Sequence, residues 1–240
     1  MGALLARLEQ LAASETSLLI EGETGVGKEL AAESVHRASA RQRGPFLVFD
    51  CAAKSLAAGE VELFGAEETA LSLAAEPVPQ LGMPGVLELA EGGTVLLDHV
   101  DELAPLLQAR LLRALERRQL RRVGGSRRID LDLRVIAVCA RNMSREVRRG
   151  AFQRELLAHI GAERVLIPPL RQRLIDLMPL SHELLASFQP PAAVTDIPDP
   201  VWAAFEAYAW PGNVRELRNA LQRALVVPDR ALRFGRGAGL

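Results

Sequence analysis

Residues 18–30 read Leu18-Leu19-Ile20-Glu21-Gly22-Glu23-Thr24-Gly25-Val26-Gly27-Lys28-Glu29-Leu30: an apolar run, a glycine-rich turn, then the start of a helical pattern. In that order they describe a strand that delivers the chain into a phosphate-binding loop and on into a helix. Gly22, Gly25 and Gly27 let the backbone turn tightly and approach an anion. Successive N–H groups then form an anion-binding nest at the helix N-terminus, and Lys28 adds a point charge for the β- and γ-phosphates. The spacing Gly22-x4-Gly27-Lys28 fits the P-loop pattern up to its last position. There Glu29 stands where a hydroxyl normally meets Mg²⁺. The expected ligand is a nucleotide, held by residues 22–29.

Composition supports Lys28. Among 29 basic residues only Lys28 and Lys54 are lysines, so a compact ammonium is kept where it fits a phosphate. With 240 residues, 49% of them apolar, the chain can bury one substantial core with a smaller lobe. A net charge of −1 gives no global attraction to nucleic acid or membrane. Cys51 and Cys139 lie far apart and read as buried, reduced thiols, which suits a cytoplasmic protein. No signal-like segment and no long apolar run points to a membrane.

Outward from the loop, strand-like runs at 17–21, 46–50, 94–98 and 133–138 alternate with helical patterns, notably 3–13, 28–39 and 103–118. Such alternation predicts a parallel sheet covered on both faces. From about residue 171 the pattern becomes helical, at 174–188, 198–208 and 213–226, with a boundary near Pro168-Pro169. Residues 75–84 carry three prolines and read as a loop. The run Val95-Leu96-Leu97-Asp98 after Gly92-Gly93 is an apolar strand ending in a carboxylate. Paired with the P-loop, Asp98 is the candidate Mg²⁺ holder, through an ordered water.

Further motifs follow in a distinctive order: Asp-Cys-Ala-Ala (50–53), Glu-Leu-Phe-Gly (62–65), Arg-Val-Gly-Gly (122–125), Pro-Pro-Leu-Arg-Gln-Arg (168–173) and Trp-Pro-Gly-Asn-Val-Arg-Glu-Leu (210–217). With the P-loop and Gly-Gly-Thr-Val-Leu-Leu-Asp (92–98), nearly the whole chain resembles the AAA+ domain of bacterial enhancer-binding proteins, the ATP-driven activators of sigma-54 RNA polymerase. The resemblance implies an AAA+ P-loop NTPase core (1–170), its parallel sheet sandwiched by helices, and a small all-helical lid (171–240). It implies ATP with Mg²⁺, and self-association or pairing with a related AAA+ subunit in a ring, of hexameric size in the family. Glu29 matches the family, and Arg215 falls on its sensor II position in the lid.

Departures from the family cluster on catalysis. The water-polarising Glu after Asp98 is His99, and the Asn that restrains it is Asp50. The sensor I Asn falls on Ala140. The two arginines that reach a neighbouring subunit fall on Gln153 and His159, with Arg154 one place off. A misplaced water-activating group costs about 10²–10⁴ in rate, and a missing arginine finger about 10³–10⁵. Impaired hydrolysis is therefore expected. Asp50 against His99 is also an arrangement in which imidazole can polarise water, but the failures elsewhere favour a degraded site. The sigma-54-contacting loop falls on Thr69-Ala70-Leu71-Ser72-Leu73-Ala74, without the family's two glycines, so normal sigma-54 remodelling is not expected. No helix-turn-helix counterpart is found, so no DNA-binding domain is expected in this chain.

Three functions stay open: an ATP-binding, hydrolysis-impaired regulator of transcription; a slow ATPase using His99, Asp50 and Arg154; and an interaction module that no longer uses nucleotide. His36 and His182 read as surface or satisfied core residues, and no Cys/His spacing fits zinc. Arg117, Arg118, Arg121, Arg122, Arg127 and Arg128 form a basic cluster, read either as a contact for DNA phosphates or, preferred, as a solvated hairpin with acidic partners. Leu217, Leu221 and Leu225 read as a core-facing stripe.

Overall fold

The computed structural model describes residues 2–52, 55–67 and 82–226. Its contacts separate two compact units: Gly2–Glu21 with Lys28–Leu166, and Gly22–Gly27 with the chain from Ile167 onward. The P-loop residues therefore pack with the C-terminal helices, although the chain enters and leaves them from the larger unit.

In the larger unit, β1 (Leu18–Glu21), β2 (Phe46–Asp50), β5 (Thr94–Asp98), β8 (Arg134–Cys139) and β9 (Glu163–Leu166) form one sheet in the order β2-β5-β8-β1-β9. Every pairing in it is parallel. Two-residue strands β3 (Gly65–Ala66) with β4 (Met83–Pro84), and β6 (Gln119–Leu120) with β7 (Ile129–Asp130), make small antiparallel pairs. Central strands β5 and β8 are buried at every position, as expected for a parallel sheet with both faces covered. Edge strand β2 leaves Val48 exposed.

The flanking helices follow from local signals. Ser55 caps Leu56–Phe64, Asn142 caps Met143–Arg148, and Pro105 opens Pro105–Arg117. The last turns Leu107, Leu111 and Ala114 into the core. Arg134 is fully buried, and its guanidinium donates to the carbonyls of Leu11 (2.7 Å), Thr16 (3.1 Å) and Ala12 (3.4 Å). It thereby satisfies the carbonyls at the end of helix Gly2–Ala12, an internal C-terminal cap. His36 is a satisfied core residue, with Nδ1 2.9 Å from the Thr94 hydroxyl, whereas His182 is exposed.

Three details differ from the sequence reading. Strand β9 was missed, because Glu163-Arg164-Val165-Leu166 buries only Val165 and lacks an apolar run. Met83 and Pro84 leave the expected 75–84 loop to pair with Gly65–Ala66, a role open to Pro84 at the rim of a two-strand pair; residues 75–81 lie outside the described chain. Cys139 is buried but Cys51 only half so.

The smaller unit packs helices Leu177–Ala186, Asp199–Ala207 and Asn213–Val226 around Leu170, Leu185, Phe205, Trp210, Leu217 and Leu221. Leu225 joins this core partly buried, so the predicted stripe does face inward. Trp210 is its anchor: its indole N–H donates to the Phe205 carbonyl at 2.9 Å, and Phe205 and Tyr208 meet it edge-on at 5.2 and 5.1 Å. Residues 174–176 form a 3₁₀ turn ahead of the first of these helices.

Candidate functional site

The P-loop is built with the helical unit. Gly25 (φ +81°) and Gly27 (φ +100°) occupy backbone conformations that favour glycine. The Gly25 carbonyl accepts N–H bonds from Val214 (2.9 Å) and Arg215 (3.3 Å) at the start of helix Asn213–Val226. A Cβ on Gly25 would lie 2.4 Å from the Gly212 carbonyl, so this close approach admits no side chain. Among the described residues the N–H groups of Gly25 and Gly27 have no acceptor, and the space beside Gly27 is open. That combination, carbonyls tied behind and N–H groups left in front, suits an anion.

Asn213 is the clamp. It is fully buried and sits at φ +53°, a conformation that Asn tolerates better than most residues. Its Oδ1 accepts from Leu170 N–H (2.8 Å), while Nδ2 donates to the Thr24 carbonyl (3.1 Å) and the Glu23 carboxylate (3.2 Å). Glu23 also takes a two-pronged ion pair from Arg171, at 2.5 and 2.8 Å. Arg171 first, then Asn213, holds the Glu23 carboxyl down to about 2. Arg173, buried, donates to the Val26 carbonyl at 3.0 Å, and the Val26 side chain is buried too. Glu216 completes the turn by accepting from Gly212 N–H (2.8 Å) and the Tyr208 hydroxyl (2.9 Å).

The signature Trp-Pro-Gly-Asn-Val-Arg-Glu-Leu thus has a physical reading: core anchor, close approach, clamp, and helix start. Sequence reasoning gave no role to Asn213, Arg171 or Arg173, because their partners lie far away along the chain. The signal was an Asn between a glycine and a helix, a position that favours a left-handed residue. Arg215 is exposed on the first turn of that helix, and Thr24 is exposed on the loop.

In the larger unit, Lys28 opens helix Lys28–Arg37 with exposed Glu29 beside it, an acid well placed in a first turn. Burial pulls the Lys28 ammonium below its usual range, against the opposing pull of carboxylates that include Asp98 and Asp101. Strand register sets Asp50 opposite Asp98, so the two carboxylates share the carboxyl end of the sheet. His99 follows at φ +51°, an uncommon conformation for this residue type. Its Nδ1 lies 3.2 Å from Asp50 Oδ1 and 3.3 Å from Asp98 Oδ2, and its backbone N–H donates to Asp98 Oδ1 at 2.9 Å.

The structure therefore brings Asp50, Asp98 and His99 together. It does not bring Arg154 to them: this residue is exposed on helix Arg154–Ile160 and touches none of the three. Gln153 N–H is bound to the Gln108 side chain at 2.9 Å, and His159 faces Glu116 at 3.9 Å. Buried Asp101 was not anticipated. Its side chain is 3% exposed, Oδ2 lies 3.7 Å from Arg141 Nε, and Oδ1 has no hydrogen-bond partner among the described residues. Residues 69–74, expected as the sigma-54-contacting loop, lie outside the described chain. No group of three or more His, Cys, Asp or Glu able to hold a metal gathers among the described residues, and none of their helices is long and apolar enough to cross a membrane.

Comparison with known proteins gives two family matches, the sigma-54 interaction domain over residues 1–165 and the AAA+ ATPase lid domain over residues 171–232. The chain is similar to the transcriptional regulatory protein ZraR of Klebsiella oxytoca, 38% identical over 229 residues that cover 95% of this chain and 51% of that protein. The regulatory protein AtoC of Escherichia coli (strain K12) is 38% identical over 220 residues, covering 91% and 47%. The chain spans about half the length of these curated relatives. NtrX from Brucella abortus, solved in complex with ATP, superposes with a TM-score of 0.83 at 31% identity, over 94% of this chain and 50% of that one; its ADP complex gives 0.84.

Proposed function

The chain belongs to the sigma-54 interaction domain family of transcriptional activators, AAA+ P-loop proteins with a helical lid, and from that premise we propose an ATP-binding module of transcription control with impaired hydrolysis. The core is assigned to residues 1–170 and the lid to 171–240. The observation that carries the reading is the contrast between the phosphate-binding loop and the end of β5. Gly22–Gly27 are braced by Asn213, Arg171 and Arg173, with the Gly25 and Gly27 N–H groups without an acceptor among the described residues. The residue after Asp98 is an imidazole bound to two carboxylates.

In this reading Gly22, Glu23, Thr24, Gly25, Val26, Gly27, Lys28 and Glu29 form the phosphate cradle, with Arg215 as sensor II. Glu23 acts through the loop's shape, since its carboxylate is already bound. ATP with Mg²⁺ supplies the bridging charge that Lys28 and Asp98 would hold. The P-loop packs with the lid helices, so nucleotide at the loop would bias the lid. Association with itself, or with a related AAA+ subunit whose arginines complete a shared site, is the proposed output; normal sigma-54 contact is not.

The binding half is tested by calorimetry of ATP–Mg²⁺ with wild type and Lys28→Ala. Loss of a charge-assisted contact predicts affinity about 100-fold weaker in the variant. Equal affinities overturn the nucleotide reading and leave an interaction module.

One observation favours a second reading. Nδ1 of His99 faces Asp50 and Asp98, which leaves Nε2 as the ring atom that could polarise water in a slow ATPase. His99→Ala then lowers residual turnover; in the first reading it does not.

A further inference from the structure

The larger unit carries a concentration of basic side chains outside the residues assigned to the nucleotide. An open cleft of about 760 Å³ is lined by Arg110, Arg113, Arg117, Arg121, Arg122 and Arg128. Three come from one face of helix Pro105–Arg117, and three from the segment around the β6–β7 pair. Arg118 and Arg127, which the sequence placed in the cluster, do not line it; Arg110 and Arg113 do.

The six divide into a floor and a rim. Arg110 is fixed by the Glu60 carboxylate, by the Arg121 carbonyl at 2.7 Å and by stacking 4.4 Å over the Phe64 ring. Arg122 forms a two-pronged pair with Glu88 at 2.7 and 2.9 Å. Arg113, Arg117, Arg121 and Arg128 are exposed, and among the described residues no carboxylate lies within 4.0 Å of any of them. A chain with net charge −1 thus gathers, in one cleft, four guanidinium groups without a carboxylate partner among the described residues.

We propose that this cleft binds the phosphodiester backbone of duplex nucleic acid, independently of base sequence. Guanidinium forks match phosphate oxygens, and a row of them matches a repeating anion. Single-strand binding would need exposed aromatic rings for base stacking, but Phe64 is 1% exposed beneath Arg110. An acidic peptide would want apolar pockets for its anchors, and the other apolar lining residues, Leu120 and Ala114, are 3% and 4% exposed. What remains on offer is charge with geometry.

Four phosphate contacts give a salt slope of about −3.6 in log K against log salt, so affinity should fall about 150-fold between 50 and 200 mM KCl. The test is fluorescence anisotropy of a labelled mixed-sequence duplex of about 30 base pairs, titrated with the chain across that salt range. Arg113→Gln/Arg117→Gln/Arg121→Gln/Arg128→Gln should abolish the binding, while the same four changes to Lys should keep the slope within about one unit. All four positions are exposed, and circular dichroism with a melting curve checks that both variants fold. Absence of binding at 50 mM KCl, or an unchanged slope in the Gln variant, overturns the proposal. So does displacement of the duplex by poly-glutamate at equal charge, which would assign the cleft to acidic protein.

Discussion

The two regions that meet in the sequence at Gly27-Lys28 are organised differently. Around Gly22–Gly27 almost every inward polar group is bound: the carbonyls of Thr24, Gly25 and Val26, the carboxylate of Glu23 and the amide of Asn213 all have partners in the helical unit. At the ends of β2 and β5 the partners are of another kind, an imidazole shared between two carboxylates, beside a buried Asp101 oxygen without a hydrogen-bond partner among the described residues. Buried polar groups are costly unless satisfied, so the bonds around Gly22–Gly27 favour one shape of the loop. The difference teaches where shape is fixed: in the glycine-rich loop, by partners from the helical unit, more than at the ends of β2 and β5.

The contrast can be broken first at the clamp. Asn213→Ala leaves the buried Leu170 N–H without its partner, frees the part-buried Thr24 carbonyl and puts Ala at φ +53°. The expected loss is about 3 kcal/mol, or roughly 6–12 °C in melting temperature for a chain of this size. Both tryptophans, Trp202 and Trp210, lie in the helical unit, so intrinsic fluorescence follows that unit alone. ATP affinity should fall with it; an unchanged melt and unchanged affinity would show that the clamp holds nothing.

At the other region, His99→Glu restores a carboxylate beside Asp98. Turnover should rise about tenfold, the modest gain expected when one group returns and others stay absent. Stability should fall modestly, since the new carboxylate faces Asp50 and Asp98, a cost that the 41% exposure of the side chain screens in part. A rise in turnover with no change in ATP affinity sharpens the division; a fall would make His99 the working base.

The smallest effect is a pH dependence confined to the braced loop. Glu23 has its carboxyl lowered from 4.5 to about 2 by Arg171 and Asn213. A depressed carboxylate stabilises the fold above its unfolded value, and that contribution is lost as pH falls from about 4.5 through about 2. Much of it is screened, because the side chains of Glu23 and Arg171 are 41% and 42% exposed. The melt of the helical unit between pH 5 and 2 should be shallower in Glu23→Gln than in wild type; parallel curves would remove this pair from the account.

How much of this was legible before the structure follows the range of the interactions. The P-loop, the strand ending in Asp98 and helix 213–226 are written in local runs of residues, and they were readable. Strand β9 was not, because a four-residue edge strand with one buried side chain carries no pattern. Asp50 and His99 were paired through the family resemblance; strand register turns that pairing into geometry. The clamp joins residues 189 and 190 positions apart, Thr24 and Glu23 with Asn213, and nothing local announces it. The basic cluster was visible, but its true members depend on which face of helix Pro105–Arg117 turns outward.

The measurement that bears most directly on the central claim is steady-state ATP turnover over a wide range of protein concentration, with Lys28→Ala as the blank and ATP binding recorded on the same samples. The account predicts saturable binding with turnover indistinguishable from the blank at every concentration. Turnover above the blank that climbs with concentration would contradict it, and would mean a working site completed between subunits.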